Sequence, residues 1–295
     1  MSTDTMHPMR STIGLSAALA TPFAPDGAID WLRFAAHVKL LLSSGMNVVT
    51  AFGTTGEGAS IGATERRALY ERMAGEGVEP GRLVEAVYGP SVAEAASGIR
   101  HAIGAGAAGI LLVPPFYFKN VPEDGLFRWH AELFEAAGPH CRNVILYNIP
   151  ALTGITVTAS LTGRLRKAFP EVIAGVKDSS GDKAHTMSLL AEHRDLAILV
   201  GDESYLAEAV RNGASGAISG IANIAPDLVG ALVSGVDDER IDEILRVVLA
   251  HPVVPAIKAL LAAKTGDEEW RRLRAPLEPL READVAYPEI AAFLH

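Results

Sequence analysis

Short apolar runs recur along the chain, each followed by a stretch with helical periodicity. The runs are GLSAALATPF, NVVTAFG, RLVEAVYG, GILLVPP, NVILYNIP, VIAGVKDSS, LAILVGDE and GAISGIAN. The VIAGV segment is short, β-branched and without polar alternation, the pattern of a strand buried on both faces. Between the runs lie segments such as DWLRFAAHVKLLLSSG and SVAEAASGIRHAIGAG. Asp30, Thr64 and Ser91 stand where helix N-caps belong, and Gly45, Gly106 and Gly213 where helices should stop. Eight strand–helix units predict an α/β fold, a parallel sheet closed into a (β/α)8 TIM barrel. An open doubly wound sheet has less support, because the first unit has no G-x-G-x-x-G turn. From about residue 226 the pattern is wholly helical, in DERIDEILRVVLA, VVPAIKALLAAKTG and APLEPLREADVAYPEIAAFL. No linker rich in Pro, Gly or Ser sets these helices apart. The expected organisation is an N-terminal tail over 1–10, a barrel over 11–225, and additional C-terminal helices over 226–295 in the same folding unit.

Composition narrows the function classes. The 295 residues carry a net charge of −9 and no Lys/Arg-rich run, which argues against a nucleic-acid partner. Cys141 is the single cysteine, so no internal disulfide forms and a reducing compartment is expected. The opening MSTDTMHPMR has no apolar core of a secretory signal, and no apolar run is long enough to span a bilayer. The expectation is a cytoplasmic enzyme or binding protein without a membrane partner.

Active sites of this barrel lie at the C-terminal ends of its strands. Those ends hold Thr54 and Thr55 after strand two, Tyr117 past strand four, Tyr147 on strand five, Lys177 on strand six, and Gly201, Asp202 and Glu203 after strand seven. A lysine closing an apolar strand loses hydration, and desolvation in general favours the neutral amine. Such an amine can attack a carbonyl and form a Schiff base, an electron sink for making or breaking an adjacent carbon–carbon bond. The same lysine could instead snorkel to solvent or pair with Asp178 or Asp182. Tyr147 could be a core tyrosine or a proton shuttle one strand from the lysine. Lys258, in the apolar PVVPAIKALLAA, reads as structural. The turn FGTTGEG could cradle a carboxylate or phosphate, but no Gly-Lys-Ser/Thr makes it a P-loop.

GTTGE, YNIPALTG and GVKDSSGD, in that order on successive strands, resemble the dihydrodipicolinate synthase / N-acetylneuraminate lyase superfamily of class I Schiff-base aldolases. The likeness runs from about Gly14 through the C-terminal helices. It implies that Lys177 forms an imine with pyruvate or another 2-oxo acid. It implies that Tyr147 relays protons through Thr55, that the Thr54-Thr55 turn holds the pyruvate carboxylate, and that Gly201 and Ile218 line the pyruvate pocket. Tyr117, in PPFYFKN, matches a tyrosine that members contribute to a partner's relay across a tight dimer interface. A homodimer, or two dimers forming a tetramer, is therefore implied, with no cofactor and no metal.

Two departures bear on the second substrate. In the synthases an arginine after the strand-five tyrosine binds the carboxylate of aspartate semialdehyde, and here that position is Leu152. Asp202, Glu203 and Ser179 resemble sugar-hydroxyl contacts of the sialic acid lyases, but a serine of those lyases is matched by Gly220. The resulting expectation is a lyase or synthase joining pyruvate and an aldehyde, acting on a 2-keto-3-deoxy sugar acid. The alternatives are a 4-hydroxy-tetrahydrodipicolinate synthase, a dehydratase of the same superfamily, and a non-catalytic 2-oxo-acid binding protein. A metal-dependent class II aldolase would need convergent ligands, and the nine histidines are scattered.

Overall fold

The computed structural model describes residues 13–281, Pro288 and residues 291–293. Eight parallel strands form one sheet: β1 (Leu15–Ala17), β2 (Val49–Ala51), β3 (Leu83–Val87), β4 (Gly109–Leu112), β5 (Val144–Asn148), β6 (Ile173–Asp178), β7 (Ala197–Val200) and β8 (Gly216–Ser219). Their spatial order is β1-β8-β7-β6-β5-β4-β3-β2. A parallel bridge from Ala18 to Thr50, with Leu19 N donating to Thr50 O at 2.9 Å, brings β1 against β2 and closes the barrel.

The crossover helices are α1 (Trp31–Ser43), α2 (Ala63–Gly75), α3 (Val92–Gly104), α4 (Glu123–Ala137), the single turn α5 (Pro150–Thr153), α6 (Ala159–Ala168), α7 (Lys183–Glu192), α8 (Leu206–Arg211) and α9 (Pro226–Val233). Asp30 caps α1 by accepting from Arg33 N at 3.0 Å, and Ser91 caps α3 by accepting from Glu94 N at 3.3 Å. Thr64 does not cap α2. That helix starts one residue earlier, and the Glu65 carboxylate reaches back to Gly62 N at 3.1 Å, so a first-turn side chain does the capping. Gly45, Gly106 and Gly213 follow helices with φ between 89° and 103°, a left-handed turn that a side chain would strain.

Two cores result. One lies between sheet and helices and includes Phe34, Leu69, Ile99, Leu133 and Leu189. The other fills the barrel with alternate strand residues, among them Val84 and Ala86 of β3 and Ile145 and Tyr147 of β5. Strand β6 breaks this alternation. Val144 pairs with Ile173 but Ile145 pairs with Gly175, so Ala174 is an extra residue. Ala174 packs in the barrel interior, yet Val176 packs in the outer core. The bulge shifts the parity of everything after it. Lys177 consequently pairs in register with Tyr147 and turns inward, while Asp178 turns out toward α7.

Helix α9 packs on β1, β8 and α8, completing the eighth unit. Helices α10 (Arg240–Leu249) and α11 (Val253–Thr265) follow. The expected helix over APLEPLREADVAYPEIAAFL does not form over its first residues, 275–281, whereas Pro288 is helical and Ala291–Phe293 form a 3-10 turn. After a 3-10 turn at Glu268–Arg271, residues 272–281 hold no helix. Pro276 and Pro279 lack the amide hydrogens a helix needs and bias the residues before them toward extended backbone. Most of the remainder of that run lies outside the described residues. No single helix among the described residues is long and apolar enough to cross a membrane.

Candidate active site

At the C-terminal mouth of the barrel, the bulged β6 carries Lys177 to within 3.3 Å of the Tyr147 hydroxyl on β5. Its Nζ lies 4.5 Å from the centroid of the Tyr147 ring. Lys177 is 4% exposed and forms no ion pair with Asp178 or Asp182. Asp178 is engaged elsewhere: it accepts from Asn148 Nδ2 at 2.9 Å, His185 Nδ1 at 3.0 Å, Thr186 Oγ1 at 2.7 Å and Ser180 N at 3.1 Å. Burial pushes its carboxyl upward, but the donors from His185, Thr186, Asn148 and Ser180 hold it below the usual range. The same contact holds His185 above the ordinary imidazole value.

The Tyr147 hydroxyl meets Thr54 Oγ1 at 3.2 Å. The expected relay through Thr55 is thus not the arrangement found; Thr54 supplies the adjoining hydroxyl. Neighbouring residues of the turn face different ways. Thr55 is buried against β8, where its Oγ1 lies 3.2 Å from the point a Cβ on Gly220 would occupy. That crowding explains the missing serine at 220: a side chain there would meet Thr55 and, at 2.9 Å, Ile257 Cδ1. The turn itself is rigid. Glu57 N donates to Thr54 O and Gly58 N to Gly53 O, both at 3.0 Å, and Thr21 Oγ1 donates to Gly56 O at 2.7 Å. Beneath it Lys258 Nζ bonds Glu57 Oε1 at 2.7 Å with both side chains fully buried, so Lys258 is a structural anchor of the turn.

The other predicted residues divide. Ile218 is buried inside the barrel. Gly201 packs against Ser179, whose hydroxyl occupies the space a Cβ at 201 would need. Ser179 and Asp202 remain partly exposed at the rim. Asp202 Oδ1 accepts from Ser204 N at 3.0 Å and Ser204 Oγ at 2.6 Å. Glu203 is buried and accepts the Ser219 hydroxyl at 2.5 Å. Burial pushes its carboxyl up, while the Ser219 hydroxyl and the nearby Lys177 pull it down. Leu152, on α5, is 62% exposed. Lys119 bonds the carbonyls of Phe116 and Thr153, the latter at 2.8 Å, which places a cation beside that turn. Tyr117 is 76% exposed and meets Phe118 edge-on at 5.4 Å.

Sequence reasoning missed two side chains at this mouth. Tyr88, directly after β3, packs its ring against Gly58, 2.6 Å from where a Cβ there would lie. Arg66 reaches over from α2, stacks on Phe52 and Tyr88 at 5.5 and 5.2 Å, and donates to Gly58 O and Ala86 O at 2.6 Å. Among the described residues no three His, Cys, Asp or Glu side chains converge as a metal site would require.

Comparison with known proteins bears on this geometry. The dihydrodipicolinate synthetase family matches residues 11–293. A DapA-like lyase of Chloroflexus aurantiacus is 34% identical across 92% of this chain and 93% of its own. A 4-hydroxy-tetrahydrodipicolinate synthase of Sorangium cellulosum is 32% identical across 92% and 91%. The crystal structure of dihydrodipicolinate synthase from Agrobacterium tumefaciens superposes with a TM-score of 0.92 at 47% identity, covering 95% of this chain and 98% of that one. YagE, a prophage protein from E. coli K12 solved in complex with pyruvate, gives 0.80 at 26% identity, covering 95% and 96%.

Proposed function

The chain belongs to the dihydrodipicolinate synthetase family, and from that premise we propose that it is a class I Schiff-base lyase or synthase. It makes or breaks a carbon–carbon bond between pyruvate and an aldehyde, acting on a 2-keto-3-deoxy sugar acid. One observation carries the reading: a buried lysine whose single hydrogen-bond partner among the described residues is a tyrosine hydroxyl at 3.3 Å. Lys177 Nζ adds to the C2 carbonyl of the oxo acid. A proton passes from nitrogen to the carbonyl oxygen, water leaves, and a protonated imine remains. In cleavage, a base takes the C4 hydroxyl proton, the C3–C4 bond breaks, and its electrons move to the imine nitrogen. The aldehyde departs, the enamine is protonated at C3, and hydrolysis returns pyruvate and the free amine. Tyr147 is the group placed to move these protons, with Thr54 behind it. The amides and hydroxyls of the Thr54-Thr55 turn hold the carboxylate.

The second substrate follows from Leu152. Aspartate semialdehyde carries a carboxylate, and a hydrogen bond to a charged group contributes about 1.5–3 kcal/mol net. Leucine supplies none, and Lys119 already spends two donors on backbone carbonyls. Ser179 and Asp202 at the rim offer partners to a polyhydroxylated chain. We place the enzyme in the cytoplasm, on its single cysteine and acidic charge. We place its dimer contact, and that of a dimer-of-dimers tetramer, at the exposed Tyr117–Phe118 face.

The test has two parts. Incubation with pyruvate, borohydride reduction and peptide mapping should find the adduct on Lys177; a different site, or none, overturns the mechanism. A panel of 2-keto-3-deoxy sugar acids, and of aldehydes with pyruvate, should then give higher kcat/KM for the sugar acids than for aspartate semialdehyde. Efficient turnover of aspartate semialdehyde would move the assignment to 4-hydroxy-tetrahydrodipicolinate synthase. Trapping without turnover of any panel member would make the chain a binding protein.

A further inference from the structure

The FGTTGEG turn has a left-handed residue near each end, Phe52 with φ 57° and Glu57 with φ 54°. Such backbone persists only where its surroundings hold it. Glu57 is held by Lys258 and by the amide of Arg274. At the other end the chain doubles back so closely that a Cβ on Gly58 would overlap Phe52 O. Arg66, in the first turn of α2, reaches across that closure. Its Nη2 donates to Gly58 O at 2.6 Å and its Nε to Ile61 O at 3.3 Å, and the guanidinium stands 5.5 Å from the centroid of the Phe52 ring. The same group grips β3. Its Nη1 donates to Ala86 O at 2.6 Å, and the centroid of the Tyr88 ring lies 5.2 Å away. Behind it Glu85 points out of the barrel, because Val84 and Ala86 pack inside. Glu85 Oε1 stands 3.6 Å from Arg66 Nη1, and Oε2 accepts the Tyr70 hydroxyl at 2.9 Å. Glu85 is wholly buried and Arg66 nearly so, and the carboxylate is the counter-charge such a cation requires.

We propose that Arg66 is a positioning residue for imine formation: by tying the FGTTGEG turn to β3, it holds Thr54 against the Tyr147 hydroxyl and the turn's amides where the pyruvate carboxylate binds. The inference rests on the Schiff-base reading above. Arg66 acts through Phe52 and Gly58, not on the substrate. Thr54 lies between those two residues, and its hydroxyl is 3.2 Å from that of Tyr147. The task calls for arginine. One planar fork serves three carbonyls on two segments while two rings lie beside it. Lysine brings a compact charge without the plane or the fork. A displacement of about 1 Å at a reacting site is enough to cost roughly 10²-fold in rate, so a loosened turn should be felt at Lys177.

The experiment follows imine formation in time over a range of pyruvate concentrations, by borohydride quench and intact-mass measurement. Arg66→Met should lower the maximal trapping rate and raise the half-saturating pyruvate concentration, each roughly 10-fold or more. The final fraction of protein trapped should stay at the wild-type level. A merely structural role would do the reverse, lowering the fraction trapped and leaving half-saturation in place. Arg66→Met also strands the Glu85 carboxylate, so the variant is paired with Arg66→Met/Glu85→Gln, in which both charges are gone. That double variant should recover the melting temperature but neither the rate nor the half-saturation. Arg66→Lys keeps the charge and should stay closer to Arg66→Met than to wild type. Arg67→Met, at the exposed neighbour on α2, should behave as wild type. Wild-type kinetics in the double variant or in Arg66→Lys, an equal loss in Arg67→Met, or an effect confined to the fraction trapped overturns the proposal and leaves the Schiff-base reading intact. A wild-type protein that forms no adduct overturns both.

Discussion

Lys177 and Tyr147 face each other across neighbouring strands, and the groups around them decide what each can do. Among the described residues the lysine has one hydrogen-bond partner, and it is almost wholly buried. The tyrosine packs its ring in the barrel and points its oxygen at both Lys177 and Thr54. Tyr147→Phe removes that oxygen and leaves the packing. It should lower kcat by roughly 10²–10⁴ with an unchanged far-UV spectrum and melting temperature; near-wild-type turnover would reduce Tyr147 to a core residue. Both residues were legible because a polar side chain at the end of an apolar strand costs free energy that function must justify. Tyr88 likewise ends an apolar strand, LVEAV, but Gly89 and Pro90 follow it and the segment reads as a turn. The order of Thr54 and Thr55 was not legible. Which of two adjacent hydroxyls faces a neighbour depends on the closure of the turn, and the turn is closed by backbone bonds with no residue signature.

Strand β6 shows how one extra residue sets the chemistry of an element. Without the bulge at Ala174, strict alternation would carry Val176 and Asp178 inward and leave Lys177 among the helices. Sequence periodicity cannot reveal this in a strand that is apolar on both faces. Gly175 beside the bulge brings β6 close enough to β7 that a Cβ would overlap Ala197 O. Gly175→Ala should destabilise by about 1–3 kcal/mol, the usual cost of overpacking, and should slow pyruvate trapping by re-aiming Lys177. Unchanged stability together with an unchanged trapping rate would show that the strand absorbs the methyl. The outward Asp178 gives α7 its anchor through His185, whose imidazole it holds above 6.5. Because the folded value is the raised one, this contribution is complete below pH 6.5 and disappears as pH rises through the folded value. Glu85, pushed up to about 7 by burial, adds a decline of the same sign between pH 4.5 and 7. It does so in wild type and variant alike. The difference in urea midpoint between wild type and His185→Gln should therefore be largest near pH 6 and shrink toward pH 9. A difference that grows with pH would contradict the His185–Asp178 contact.

At the scale of the whole molecule, the C-terminal helices reach the GTTGEG turn at the barrel mouth through a buried ion pair. Lys258 on α11 bonds Glu57 Oε1 at 2.7 Å and Thr21 O at 2.9 Å, with its ammonium 4.5 Å from the Phe23 ring centroid. Glu57 Oε2 receives Arg274 N at 2.9 Å, so the chain after α11 is fastened to the same carboxylate. Glu57 sits in the GTTGEG turn with φ 54°, a left-handed conformation that the two partners of its carboxylate help to hold. Barrel, turn and extension thus meet at one carboxylate. Breaking a buried pair from one side leaves an uncompensated charge and costs about 3–5 kcal/mol, whereas replacing both partners with neutral groups often costs far less. Lys258→Met should therefore destabilise by about 3–5 kcal/mol and slow imine formation by loosening Thr54. Glu57→Gln/Lys258→Met should recover most of the stability but less of the rate, since glutamine holds Arg274 N but no longer draws α11 inward. In a Trp31→Phe/Trp129→Phe background, urea unfolding followed by Trp270 fluorescence, which then reports on the extension, and by far-UV signal, which reports on the whole, should give coincident transitions. If the two probes separate in that background, or if Lys258→Met costs less than about 1 kcal/mol, the extension is a separate unit leaning on the barrel, and the pair does not couple it to the site.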